Sequence, residues 1–361
     1  MQYQPGGSAD VPDAALARRR VIFALQRQLV LRARRALFAD LDDLGGVPTL
    51  ADDAAQAALD ARATRDMCEA LQGVLDRAFT RGTLTPAQRE YWLARAPAML
   101  GFGARLHGEL TRLAARPAAD PRPAQALALF QLAATLLDWI GDEQCGGAAV
   151  ARLLPIGQLP GLFGNAGRRR RLLRRARAAD GPTHAFACVL VALLDLVAQL
   201  PADATTFANL LGAAYDAELE SFDASAPAEH VLRARRKSEL PTIVSGALAR
   251  LSVRDDEAAV IESAAAAIAP MFGTLDDMAD LSDDLRAGAV NTLASTSTHE
   301  DDAIEAAMRH VLAGDSVEVH AMAVAACIRH VHAVALDAGV RPAQLRAFMQ
   351  WLRARAWQWL S

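Results

Sequence analysis

Carboxylates in two places are the residues of this chain whose spacing could do chemistry. The stretch Leu275-Asp276-Asp277-Met278-Ala279-Asp280-Leu281-Ser282-Asp283-Asp284 sets five of them beside strongly apolar sequence. On a helix Asp276, Asp280 and Asp284 share one stripe, flanked by Asp277 and Asp283. Like charges at that spacing repel by about a few tenths of a kcal/mol per pair in water, and by more in a cleft, so bridging cations are their natural partners. The second group, Asp138, Asp142 and Glu143 in Leu136-Leu137-Asp138-Trp139-Ile140-Gly141-Asp142-Glu143, follows the apolar run from Ala126 to Leu137. Asp138 therefore enters the acidic patch from a buried face. Mg²⁺ takes oxygen ligands, usually one or two carboxylates together with waters and substrate phosphates. Two facing carboxylate helices thus suit a metal-bound diphosphate better than an all-protein metal cage. A lone acidic run is as often a solvated helix face; two, one starting from apolar sequence, favour a site. Asp40, Asp42, Asp43, Asp52 and Asp53 lie beside Gly45-Gly46 and Pro48 and read as turn and cap carboxylates.

A cation stands out for the opposite reason. Of 38 Lys plus Arg, one is lysine, Lys237, in Arg233-Ala234-Arg235-Arg236-Lys237-Ser238. A compact ammonium suits a phosphate oxygen, and Arg233 and Arg236 would add forked donors on adjacent helix faces. A chance exposed lysine is the plain alternative. The one sharply biased segment, Arg168 to Arg177, reads as a diphosphate-facing clamp, an anionic-membrane patch or simply a solvated basic helix. His330 and His332 are two apart and do not face each other on a helix, so with His320 they read as structural or exposed. No GxSxG, HExxH, Walker or dinucleotide fingerprint occurs, which removes support for hydrolase and dehydrogenase readings.

The elements that must position these groups are helices. Hydrophobic residues make up 52% of 361, alanine and leucine dominate, and β-branched runs are short. Helices are expected near 14–44, 50–80, 86–116, 122–144, 182–200, 204–223, 227–252, 255–287, 299–313, 316–338 and 342–359. Thr85-Pro86 and Arg341-Pro342 mark two starts. No Gly/Ser-rich or Pro-rich linker divides the chain, so one domain over 14–361 is expected after a disordered leader at 1–13. No segment is expected to span a membrane, since the apolar stretch Ala185 to Leu194 is broken by Asp195 and remains too short. A formal charge of −4 gives no general case for nucleic acid, and four cysteines without CxxC spacing suit a reducing cytoplasm rather than structural zinc or disulfides.

Together the motifs resemble the isoprenoid synthase superfamily: trans-prenyltransferases, squalene and phytoene synthases, and class I terpene synthases. Phe272 to Leu281 is similar to the second aspartate-rich motif of polyprenyl synthases. Asp138 to Glu143 departs from their first motif, DDxxD, by placing Trp139 at the second acid, and its DxxxDE spacing is closer to squalene/phytoene synthases and some terpene synthases. Lys237 before Ser238 resembles the family lysine that reaches the diphosphate. The resemblance covers about Gln88 to Leu312 and implies an all-α, single-domain helical bundle with a central apolar cavity.

It also implies roles. Asp138, Asp142, Asp276 and Asp280 would be catalytic. With Glu143, Asp277 and Asp284 they would hold Mg²⁺. Lys237, Arg233 and Arg236 would bind diphosphate, and Phe130, Trp139, Tyr215, Phe222 and Phe272 would line the cavity. Chain-elongating members carry a Gly-Lys-x-x-Arg element near the N-terminus and an Arg-Arg pair after the first motif; this chain has neither. The expected reaction is therefore that of a class I terpene synthase, cyclising or eliminating from one linear prenyl diphosphate. The alternatives are a chain-elongating or head-to-head prenyltransferase and a non-catalytic protein binding prenyl lipid or a partner enzyme. Expected partners are the prenyl diphosphate and no nucleic acid, with a homodimer and membrane contact through 168–177 left open.

Overall fold

The computed structural model describes residues 13–80, 84–114, 120–143, 147–200, 203–221, 227–287, 291–294 and 300–361. The expected leader thus lies almost wholly outside the described residues. Fourteen α-helices occur among the described residues: α1 (Asp13–Asp40), α2 (Leu50–Leu75), α3 (Pro86–Arg112), α4 (Arg122–Glu143), α5 (Ala148–Leu153), α6 (Ala166–Ala176), α7 (Gly181–Val197), α8 (Thr205–Ser221), α9 (Pro227–Arg250), α10 (Asp255–Ala279), α11 (Leu281–Ala287), α12 (Asp301–Ala313), α13 (Ser316–Asp337) and α14 (Pro342–Trp359). The fold is all-α, and no strand longer than an isolated Asn291–Ala294 bridge occurs among those residues.

Local chemistry explains the ends. Thr85 and Gln88 close a capping box at the head of α3, with Gln88 N–H donating to the Thr85 hydroxyl at 3.3 Å and Thr85 N–H to Gln88 Oε1 at 3.0 Å. Thr49 and Asp52 do the same for α2. Pro86 and Pro342 occupy first-turn positions, where the missing N–H leaves nothing unpaired. Asp40 and Asp43 accept from Arg329 on α13, so these turn carboxylates tie two helices together.

Helix α4 runs through the middle, against α3, α7 and α9, while α9 packs on α8 and α10, and α10 on α13. Leu127, Leu129, Leu132 and Leu136 of α4 are fully buried. Contrary to the expectation that no segment is, Arg122–Gly141, α10 and α13 are each long and apolar enough to cross a membrane by length and composition. The α4 and α10 windows are 56% buried, because a helix packed on several sides reads apolar all round; that of α13 is 33% buried.

Close approach of α9 and α10 sets the geometry at the carboxylates. A Cβ built on Gly273 would lie 2.7 Å from the Ser238 Cβ. Only a residue without a side chain lets α10 come this near to α9, one position from Lys237 and three from Asp276. Gly273→Ala is expected to destabilise the protein by about 1–3 kcal/mol through overpacking. The same substitution made in a Ser238→Gly background should cost little further, as measured by denaturant unfolding; equal losses in both backgrounds would place the strain elsewhere.

Candidate active site

Lys237 is the pivot. Its Nζ lies 2.6 Å from Asp138 Oδ1 on α4 and 3.2 Å from Glu218 Oε1 on α8, so one ammonium joins three helices. One turn later Pro241 interrupts α9 and removes the N–H that would bond the Lys237 carbonyl. Glu218 is buried; a carboxylate there requires a cation, and Lys237 supplies it.

Of the acidic stretch of α10, Asp276 faces the same space, whereas Asp277 lines a separate pocket with Thr292 and His320. Asp276 lines the cleft, and the indole N–H of Trp359 on α14 donates to its Oδ1 over a long 3.4 Å. The helix expected over 255–287 breaks at Asp280, and α11 begins at Leu281. Five neighbouring carboxylates strain a continuous helix, and Gln26 of α1 stabilises the break from both sides. Its Nε2 donates to the Met278 and Ala279 carbonyls, and its Oε1 accepts from Ser282 N–H at 3.2 Å.

Residues 291–294 fold back on the cluster. Asn291 Nδ2 donates to the Asp277 carbonyl and to Asp284 Oδ2, each at 2.8 Å, and the Thr292 hydroxyl donates to Asp277 Oδ2. Asp277 and Asp284 are thereby held by protein donors, whereas Asp276 and Asp280 are exposed. Surrounding protein, then the charges of Asp280 and Asp284, pushes Asp276 up to about 7. Its side chain touches water yet stands in a concave wall, so the shift reflects the cleft rather than full burial. Asp284 is pushed up to about 6, chiefly by burial against the Asn291 hydrogen bond. Burial likewise raises Asp277, and raises Asp280 with help from Asp283 against the pull of Arg95 on α3. The cluster is short of positive charge.

Asp138, Glu218, Lys237, Phe272, Asp276 and Trp359 line one cleft of ≈ 250 Å³. Ala134, Glu218 and Pro241 are shared with a narrow apolar pocket behind it, ≈ 40 Å³, walled by Phe130, Leu137, Phe186, Leu211 and Tyr215. Phe272 and Trp359 rings pack 5.3 Å apart, with Phe102 edge-on to Phe272 at 6.2 Å.

The structure thus brings Asp138, Lys237, Phe272 and Asp276 together and sets Phe130 and Tyr215 deeper. Trp139 turns the other way, stacking on Tyr91 at 5.9 Å and meeting Trp92 edge-on at 5.4 Å, because successive residues on a helix point about 100° apart. Arg236 reaches Glu220 at 3.5 Å, outside the cleft lining. Asp142, Glu143 and Arg233 belong to α4 and α9, but their side chains, like Phe222 as a whole, lie outside the described residues. Sequence reasoning missed Glu218, Trp359, Gln26 and Asn291. Only Glu218 left a signal, continuing the apolar stripe Phe207, Leu211, Tyr215 at helical spacing. Among the described residues no three His, Cys, Asp or Glu side chains converge into a preformed metal cage.

This arrangement of helices is found in solved structures. The geranylgeranyl pyrophosphate synthetase from Pyrococcus horikoshii Ot3 matches with a TM-score of 0.55 at 14% identity, over 83% of this chain and 98% of that one. The geranylgeranyl pyrophosphate synthase from Corynebacterium glutamicum ATCC 13032 matches at 15% identity over 80% and 98%, with a TM-score of 0.43 too low to argue from. No family model matches the sequence, and no curated protein does. The chain shares its all-α fold with the Pyrococcus horikoshii structure.

Proposed function

We propose that the chain ionises an allylic prenyl diphosphate and transfers the prenyl unit to a second isoprenoid substrate. The observation that carries this reading is Lys237 and the Asp276 face of α10 lining one cleft that leads into an apolar pocket. The cluster offers hard oxygen donors, raised above the usual carboxylate range by burial and then by one another's charge, which fits Mg²⁺. Asp276 and Asp280 would hold it, with Asp138 once Lys237 has turned to the substrate. Bound with the diphosphate, Mg²⁺ would neutralise the departing charge.

The chain's own residues do the rest. Lys237 donates to a diphosphate oxygen before and after the bond breaks. Phe130, Phe186 and Leu211 keep water from the prenyl chain, and the faces of Phe102, Phe272 and Trp359 offer π density to positive charge at the cleft. Transfer, rather than the cyclisation expected from sequence, is supported by the fold shared with a protein named geranylgeranyl pyrophosphate synthetase.

One observation favours the terpene synthase as second reading: among the described residues lining the cleft Lys237 is the one cation, so a second diphosphate has no evident seat. Incubation with Mg²⁺ and allylic diphosphates of increasing length, with and without isopentenyl diphosphate, separates them. Longer diphosphates formed only with isopentenyl diphosphate are expected. Hydrocarbon from one substrate alone would replace transfer by cyclisation or elimination, and absence of pyrophosphate release in every mixture would contradict both.

A further inference from the structure

The arginine-rich segment is a helix, α6, with a divided surface. Arg169, Leu172 and Ala176 face inward and are buried. Arg169 pairs with Asp195 at 2.6 Å and donates to the Leu162 carbonyl at 2.9 Å, which fixes the helix against the turn Leu159–Leu162. Arg168, Arg170, Arg171, Arg174, Arg175 and Arg177 are exposed. Arg18, Arg32, Arg309 and Arg329 each meet a carboxylate, but among the described residues none of these six does. In a chain of net charge −4 the patch is uncompensated. Arg168, Arg170 and Arg171 crowd the N-terminal half of α6, where the helix dipole disfavours cations, and among the described residues no carboxylate offsets that local cost.

What lies beside the patch indicates what it meets. The backbone of Arg152 accepts from Arg175 at 3.2 Å, and a short way along the chain Ile156 is 52% exposed. The same 154–162 segment closes the apolar pocket from outside: Leu159 forms part of its wall and the Leu154 carbonyl accepts from the Tyr215 hydroxyl. A cationic helix, the chain segment it contacts with its exposed isoleucine, and the outer wall of the narrow apolar pocket therefore adjoin one another.

We propose that this side docks on an anionic lipid bilayer, the arginines meeting headgroup phosphates and carboxylates and Ile156 entering the interface. A polynucleotide would meet the same charge, but α6 carries no aromatic ring on which a base could stack. The docking is independent of the reaction proposed above, because vesicle binding needs no turnover.

Co-sedimentation of the full chain with phosphatidylcholine vesicles, with and without phosphatidylserine, tests it. Binding should require the anionic lipid and weaken with added salt. Changing Arg170, Arg171 and Arg174 together to Gln, which keeps helix propensity, should lower the affinity by about tenfold or more with an unchanged melting temperature. Pyrophosphate release from dispersed substrate should be unaffected. Ile156→Ser should weaken binding further. Equal binding to neutral vesicles, no binding to anionic ones, undiminished binding of the triple variant, or retention of an RNA oligonucleotide in preference to vesicles would each overturn the proposal.

Discussion

Asp276→Asn should lower pyrophosphate release from an allylic diphosphate by on the order of 10²- to 10³-fold and, at pH 8, raise the melting temperature of the metal-free protein. Both effects have one origin. An unfolded aspartate titrates near ~3.9, whereas Asp276 is pushed up to about 7 among Asp280 and Asp284. The folded state therefore holds a proton that the unfolded state has already lost. This carboxyl's contribution to stability is fully present below about pH 4 and disappears as pH rises through about 7. Asparagine, neutral at every pH, keeps that contribution. Relative to wild type the variant should gain stability at pH 8 and only about a third as much at pH 5. Buried His107, pushed down to about 4, titrates in the opposite sense, so the comparison is made between the two proteins at each pH. A variant that melts lower at both values would make Asp276 a structural partner of Trp359 instead.

Lys237→Met should cost both binding and rate, with a higher KM for the allylic diphosphate, a lower kcat and about a 10²-fold loss in kcat/KM, because in the proposed reaction the ammonium would meet the diphosphate before and after cleavage. It should also destabilise the free protein by about 1–3 kcal/mol, since Asp138 and buried Glu218 are then left facing each other without a cation. Lys237→Arg should restore stability more fully than rate, because a planar fork does not reproduce a compact ammonium. Steady-state kinetics beside denaturant unfolding decide it. A drop in stability with unchanged kinetics would make the lysine a structural link.

What could be read from the sequence follows from what is local. Helix starts at Thr85-Pro86 and Pro342 depend on a few adjacent residues, and they hold in the structure. Of the Asp276-Asp277-x-x-Asp280 run only Asp276 lines the cleft, because α10 ends at Ala279 and Asp277 turns toward Thr292. The break at Asp280 was not legible, since it rests on Gln26, separated from Ser282 by 256 residues. The partners Asn291 and Thr292 are nearer, but polar residues in a turn carry no mark of what they bond. Trp359 reaches Asp276 from 83 residues away. Trp139 was placed in the cavity by adjacency to Asp138, and helical rotation carries it onto Tyr91 and Trp92 instead. Glu218 could have been singled out: a carboxylate on the apolar stripe of α8 demands a buried cation, and the chain's single lysine was the candidate already in hand.

If this cleft binds a diphosphate and Mg²⁺ jointly, the melting temperature will show it in four mixtures: protein alone, with Mg²⁺, with pyrophosphate, and with both. Mg²⁺ or pyrophosphate alone should shift the transition little, because neither the carboxylates nor Lys237 makes a complete site. Together, at about a hundredfold excess over Kd, they should stabilise by about 2.7 kcal/mol, and Asp276→Asn should abolish that joint shift. A shift with Mg²⁺ alone as large as with both, or no shift in any mixture, would contradict the account.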